Sequence, residues 1–156
     1  MDRQAQEYLE NYLSILTESQ RGRYTTYSAD YFCADPESAN SCAELIRRGV
    51  EVATCSLKYW YQFQGEPWPR RGHLQLVTDW HGNPSSIIEI TAASECRYCD
   101  IDEEFARAEG EGDLSLAWWR QVHWQFFAAE CSQLGIAMVP EIMLVTERFR
   151  VAYQER

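Results

Sequence analysis

The segment E-G-E-G-D-L-S-L-A-W-W-R-Q-V-H, residues 109–123, joins an acidic glycine loop directly to an aromatic helix. Gly110 and Gly112 alternate with Glu109, Glu111 and Asp113, so the backbone is free to enter left-handed conformations and is crowded with carboxylates. Asp113 reads as the helix N-cap. Downstream, Leu116, Trp119, Val122, His123 and Phe126 recur at three- and four-residue spacing, the pattern of one helical stripe. The helix is expected to run to about Leu134 and to stop at Gly135. A ligand is expected at the junction of loop and helix.

Outward from this segment, the 156 residues fit a single domain. With 46% hydrophobic and 13% aromatic residues, including six Trp and nine Tyr, the chain is globular and has rings to spare for a site. The net charge of −10 disfavours broad binding to a phosphate backbone. No run of about 18 apolar residues occurs, so no membrane span is expected. The absence of an apolar leader, together with six cysteines, fits a reduced cytoplasmic setting. Cys96-Arg97-Tyr98-Cys99 is a lone C-x-x-C, too little for zinc without two further ligands, so neither a metal nor a cofactor is expected.

Residues 1–18 place Tyr8, Leu9, Tyr12, Leu13 and Leu16 at helical spacing, and 19–35 read as an ordered polar connection. Asp35 before Pro36 marks a second helix start, with Ala39, Cys42, Leu45 and Ile46 as its buried face up to Gly49. Strand-like patterns follow at 52–61, 73–78, 85–91 and 142–153, with turns at Gly65-Glu66-Pro67 and His81-Gly82-Asn83-Pro84. Strands mixed with helices but lacking βαβ alternation point to an α+β fold.

The chain also carries Gly49-Val50-Glu51-Val52-Ala53-Thr54-Cys55-Ser56-Leu57, Gly82-Asn83-Pro84 and Glu147-Arg148-Phe149-Arg150-Val151. Taken with 109–123, these strings resemble the ASCH (activating signal cointegrator homology) domains, in the longer bacterial stand-alone branch, over roughly residues 36 to 153. The resemblance implies a small PUA-like β-barrel flanked by helices. Residues 1–35 would be an N-terminal helix and connecting segment, and 36–156 the ASCH domain.

Within that family the G-x-K-T-A-T segment lines a cleft, and certain small members hydrolyse the amide of N4-acetylcytidine with a Lys, a Thr and a Glu. By resemblance, Thr54 matches the last Thr of the motif, and Glu109 matches the Glu that closes Ala106-Arg107-Ala108-Glu109. Glu51 stands where the Lys belongs, and Val52 replaces the first Thr. A carboxylate cannot supply an ammonium's positive field or its three donors. The expected function is thus a cleft for a modified or unpaired pyrimidine nucleotide, taking a nucleoside or single-stranded RNA, with hydrolysis weak or lost. The alternative is an amidohydrolase of N4-acylated cytidines, and a ribonuclease reading suffers from the same substitution.

Glu51, Glu109 and Glu111 can face one another across this cleft, raising at least one pKa and creating an acid and base pair, or a hard-cation site; the alternative is solvated charges. Lys58 shares strand parity with Thr54 but lies roughly 13 Å away along a strand. Arg70, Arg71 and Arg120 are candidate contacts to a phosphate or carbonyl, or plain surface charges. Trp118 offers a ring to a nucleobase or packs against the barrel edge, and His123 reads as a buried structural histidine. Ser115 donates to a ligand or supports the helix cap, and Ser56 joins the list by its place in the cleft segment.

Overall fold

In the computed structural model, which describes residues 1–33 and 35–155, five strands form one mixed sheet. The elements are α1 (Arg3–Ser14), α2 (Glu18–Arg21), β1 (Tyr27–Asp30), α3 (Pro36–Arg47), β2 (Ala53–Leu57), α4 (Lys58–Gln64), β3 (Leu74–Thr78), β4 (Pro84–Arg97), α5 (Glu103–Glu109), α6 (Leu116–Leu134) and β5 (Met143–Tyr153). A 3₁₀ turn, Tyr98–Asp100, separates β4 from α5. The sheet order is β1-β3-β4-β5-β2, with β1 parallel to β3 and the other pairs antiparallel. No ladder joins the two edge strands β1 and β2 among the described residues, so the architecture is an α+β fold on a five-stranded sheet, and closure of a barrel is not shown.

Side-chain alternation on the strands sorts the core into layers. Leu74, Leu76 and Ile87 turn toward α1, which buries Ala5, Tyr8, Leu9 and Tyr12 against them. Val77, Ile88, Ile90 and Phe149 turn to the opposite face and meet Ala43 and Ile46 of α3. A third cluster unites Ala53, Leu57 and Leu144 with Phe105 of α5 and Trp119, Phe127 and Cys131 of α6. The segment 19–35, read from sequence as a connection, carries α2 and the edge strand β1.

Capping follows local chemistry at most helix ends. Asp35 accepts from the Ser38 amide with Pro36 in the first turn, and Gly135 closes α6 at φ 71°. Asp113 does not cap α6: Ser115 does, accepting from the Trp118 amide, while Asp113 accepts from the Ser115 amide. The α6 stripe is also rotated from its expected position. Its buried residues are Trp119, Phe127 and Cys131, while Val122 and Phe126 are exposed.

The strand expected over 52–61 ends at Leu57, and Lys58-Tyr59-Trp60-Tyr61 turns into α4, closed by Gly65 at φ 68°. Trp60 Nε1 donates to Glu130 Oε2 on α6 at 2.6 Å, a tertiary bond that favours the helix over an aromatic strand. Lys58 therefore shares no strand with Thr54, and it pairs with Glu95 at 2.5 Å. No helix among the described residues is long and apolar enough to cross a membrane.

Candidate functional site

One cavity of about 780 Å³ opens beside α3, β2 and α6. Its volume falls within the roughly 300–1,000 Å³ of small-molecule sites. Of the residues singled out from sequence, Glu51, Thr54, Ser56, Glu109, Glu111 and Trp118 line it. Ser115 and Arg120 do not. The Ser115 hydroxyl is engaged in the α6 cap, and Arg120 is exposed on the helix, where its carbonyl accepts from Tyr98 Oη. Arg70 and Arg71 are likewise exposed and outside the lining.

Local backbone chemistry assembles the acidic wall. Gly110 sits at φ 71°, and a Cβ there would lie 2.7 Å from the Val50 carbonyl oxygen, so only glycine lets the loop close onto the Val50-Glu51 backbone. The Val52 amide ties this approach by donating to the Ala108 carbonyl at 2.8 Å. Gly112, at φ 59°, lies so close to the Trp118 ring that a Cβ would fall 2.2 Å from it. These two contacts hold Glu109, Glu111 and Trp118 in the cavity lining, where Glu111 reaches Cys42 of α3 at 3.0 Å.

Seven carboxyl side chains line the cavity: Asp30, Asp35, Glu37, Glu51, Glu109, Glu111 and Glu147. No lysine or arginine stands among the described lining residues, and His123 is the one titratable cation among them. Glu51 is 3% exposed. Burial, then the charges of Glu111, Cys33 and Glu109, push its carboxyl up to about 10, so it is protonated at neutral pH. Its Oε2 has no hydrogen-bond partner among the described residues. Glu147, the cross-strand neighbour of Thr54, is pushed up by burial to about 7, and its Oε1 is likewise unpartnered.

Glu109 has a different environment. Its Oε2 accepts from Trp119 Nε1 at 2.5 Å and lies 2.9 Å from His123 Nε2. His123 Nδ1 is 2.9 Å from the Trp119 carbonyl, which can only accept, so Nδ1 carries a proton. Burial pulls the His123 pKa down, but the hydrogen bond and charge of Glu109 outweigh it and the net shift is upward. The imidazole stacks on the Trp119 ring at 4.1 Å and 13°, which favours its cationic form. The result is a buried carboxylate–imidazolium pair able to take or give a proton at the cavity wall. Ser56 donates to Tyr61 Oη at 3.3 Å, and both groups border the space.

Sequence reading missed Glu147 as a cavity group and took His123 as structural only. Glu147 follows Val145 and precedes Phe149 on the buried parity of β5, so a carboxylate on the inward-facing row was the available signal. Metal-ligand side chains converge in two clusters, Cys33–Cys42–Glu111 and Cys55–Glu109–His123. Cys96 and Cys99 belong to neither cluster.

The resemblance implied a small β-barrel flanked by helices; the structure shows an α+β fold on a five-stranded mixed sheet, with a cavity lined by both the 49–57 segment and the glycine loop. The chain belongs to the ASCH domain family, whose model matches residues 28–153. Its structure is similar to the crystal structure of an ASCH domain from Lactobacillus crispatus, at 51% identity and a TM-score of 0.95 over 99% of this chain and 97% of that one. It shares its fold with a DUF984 protein from Enterococcus faecalis, at 24% identity and a TM-score of 0.82 over 97% of this chain and 90% of that one. No curated protein matches the chain significantly.

Proposed function

We propose that the cavity binds a pyrimidine nucleoside through the edge of its base, and that it selects the nucleoside over phosphorylated forms. The observation that carries this reading is Glu51, a buried carboxyl held protonated with one oxygen unpartnered. A protonated carboxyl donates once and accepts once, which complements the N3 and N4-amine edge of cytosine. The Trp118 ring offers an apolar wall for the base, as aromatic platforms do for unpaired bases. A phosphate would meet seven carboxyl side chains without an arginine or lysine among the described lining residues, which favours the free nucleoside over single-stranded RNA and counts against a ribonuclease.

The test is calorimetric titration with cytidine. Glu51→Leu removes both hydrogen-bonding atoms and is expected to abolish binding, whereas Glu51→Gln, which keeps a donor and an acceptor, retains it. Equal affinity of the Leu variant and the parent would refute the assignment.

A second reading is supported by the Glu109–His123 pair, which lines the same cavity as Thr54. Such a pair can accept a proton from a hydroxyl or a water, giving slow hydrolysis of N4-acetylcytidine without a lysine. Chromatographic release of cytidine that disappears in Thr54→Ala would support an amidohydrolase; its absence from the parent protein leaves binding alone.

A further inference from the structure

At the α3 side of the cavity, Cys33 Sγ lies 2.6 Å from Cys42 Sγ, and Glu111 Oε1 lies 3.0 Å from the Cys42 sulfur and 3.8 Å from that of Cys33. Glu51 lines the same cavity, and its buried Oε2 is unpartnered among the described residues. We propose that Cys33, Cys42 and Glu111, whose ligand atoms lie within 4.8 Å of one another, form a site for one soft divalent cation of the zinc type. Two thiolates and a carboxylate oxygen are a ligand set that zinc accepts, with a water molecule completing its tetrahedral geometry. Oxygen-only cations such as magnesium are disfavoured by the two sulfurs.

Charge explains why a cation belongs here. Two thiols and a carboxyl converge in a cavity whose described lining holds no lysine or arginine, and a divalent ion supplies the missing positive charge among them. On binding, Cys33 and Cys42 each release a thiol proton to solvent and both sulfurs bond to the metal. The sulfurs must separate from 2.6 Å to about 3.7 Å, the spacing of two thiolates on a tetrahedral zinc, and Cys33 lies in the exposed approach to α3, where such a shift is cheap. A disulfide between the same pair is the competing outcome. It removes two electrons and two protons from the pair and so needs an oxidant, which reducing conditions withhold.

This site is independent of the nucleoside reading.

The experiment titrates cobalt(II), then zinc, into the reduced, chelator-treated full chain, with absorption spectra and bound metal as readouts. The expected result is one equivalent of cobalt with a thiolate charge-transfer band and tetrahedral visible bands, displaced by zinc. Cys33→Ser and Cys42→Ser are expected to lose the band, Glu111→Gln to weaken binding, and Cys96→Ser to change nothing. A zinc-dependent rise in the melting temperature of the parent reads the same binding without any variant. Absence of the band and of the melting shift in the parent would overturn the proposal, as would a band that survives Cys42→Ser, or a Cys33–Cys42 disulfide that forms under saturating zinc.

Discussion

Glu51→Gln should flatten the pH dependence of stability across the weakly acidic and neutral range. In the folded chain the Glu51 carboxyl titrates near about 10, against an ordinary value of 4.5, because burial and neighbouring charges disfavour its anion. Between those values the folded state holds a proton that the unfolded state has released. The stability associated with the neutral carboxyl is therefore fully present below 4.5 and is lost as pH rises toward about 10. One such proton is worth about 1.4 kcal/mol per pH unit, so Glu51 alone removes about 3 kcal/mol between about pH 5 and about pH 7. For a chain of this size that corresponds to roughly 6–12 °C in melting temperature. The assay is thermal unfolding by circular dichroism at a series of pH values. Glutamine does not titrate, so the variant should lose about one proton's slope and be the more stable protein at neutral pH. Some slope should remain, since Glu147, raised to about 7, and His123, raised by Glu109, both act in the same direction. Parallel curves for parent and variant would refute the protonated state of Glu51.

Gly112→Ala is expected to destabilise the chain by about 1–3 kcal/mol in denaturant unfolding and to weaken nucleoside binding, since its Cβ would lie 2.2 Å from the Trp118 ring at φ 59°. Trp119→Phe removes the indole N–H that Glu109 accepts, at a cost of about 1.5–3 kcal/mol for a hydrogen bond to a charged group. The His123 titration, read by nuclear magnetic resonance, should move in that variant while the ring stacking persists. Arg120→Ala should leave nucleoside affinity unchanged by calorimetry, because Arg120 is exposed and outside the cavity. A large effect there would relocate the site to the outer face of α6.

Much of the fold was legible wherever a chemical signal marked an element's end. Asp35-Pro36 and Gly135 sit at observed helix boundaries, and Gly82-Asn83-Pro84 lies in the β3–β4 turn, where Asp79 accepts from the His81 and Asn83 amides. The run 58–64 was not legible because Tyr, Trp and Phe suit a strand and a helix alike, and its decisive bond is to Glu130, 70 residues away. The α6 cap shifted from Asp113 to Ser115 because Leu114 takes a left-handed φ of 67° that the sequence does not announce. At the site, Glu51, Glu109 and Glu111 line one cavity, the arrangement that the loop chemistry and the cleft resemblance offered beside solvated charges. The Glu109–His123 pair did not, since it depends on how α6 is rotated about its axis. That same rotation turns Trp118, Val122 and Phe126 to the cavity and carries Arg120 away from it.

Calorimetric titration of the chelator-treated protein with cytidine and, in parallel, with cytidine 5′-monophosphate tests the nucleoside assignment most directly. Cytidine should bind, and the monophosphate should bind at least about tenfold more weakly, the ~1.4 kcal/mol minimum for one uncompensated like-charge contact. A monophosphate that binds as tightly as cytidine, or a protein that binds neither, would contradict a carboxyl-lined pocket for an unphosphorylated pyrimidine.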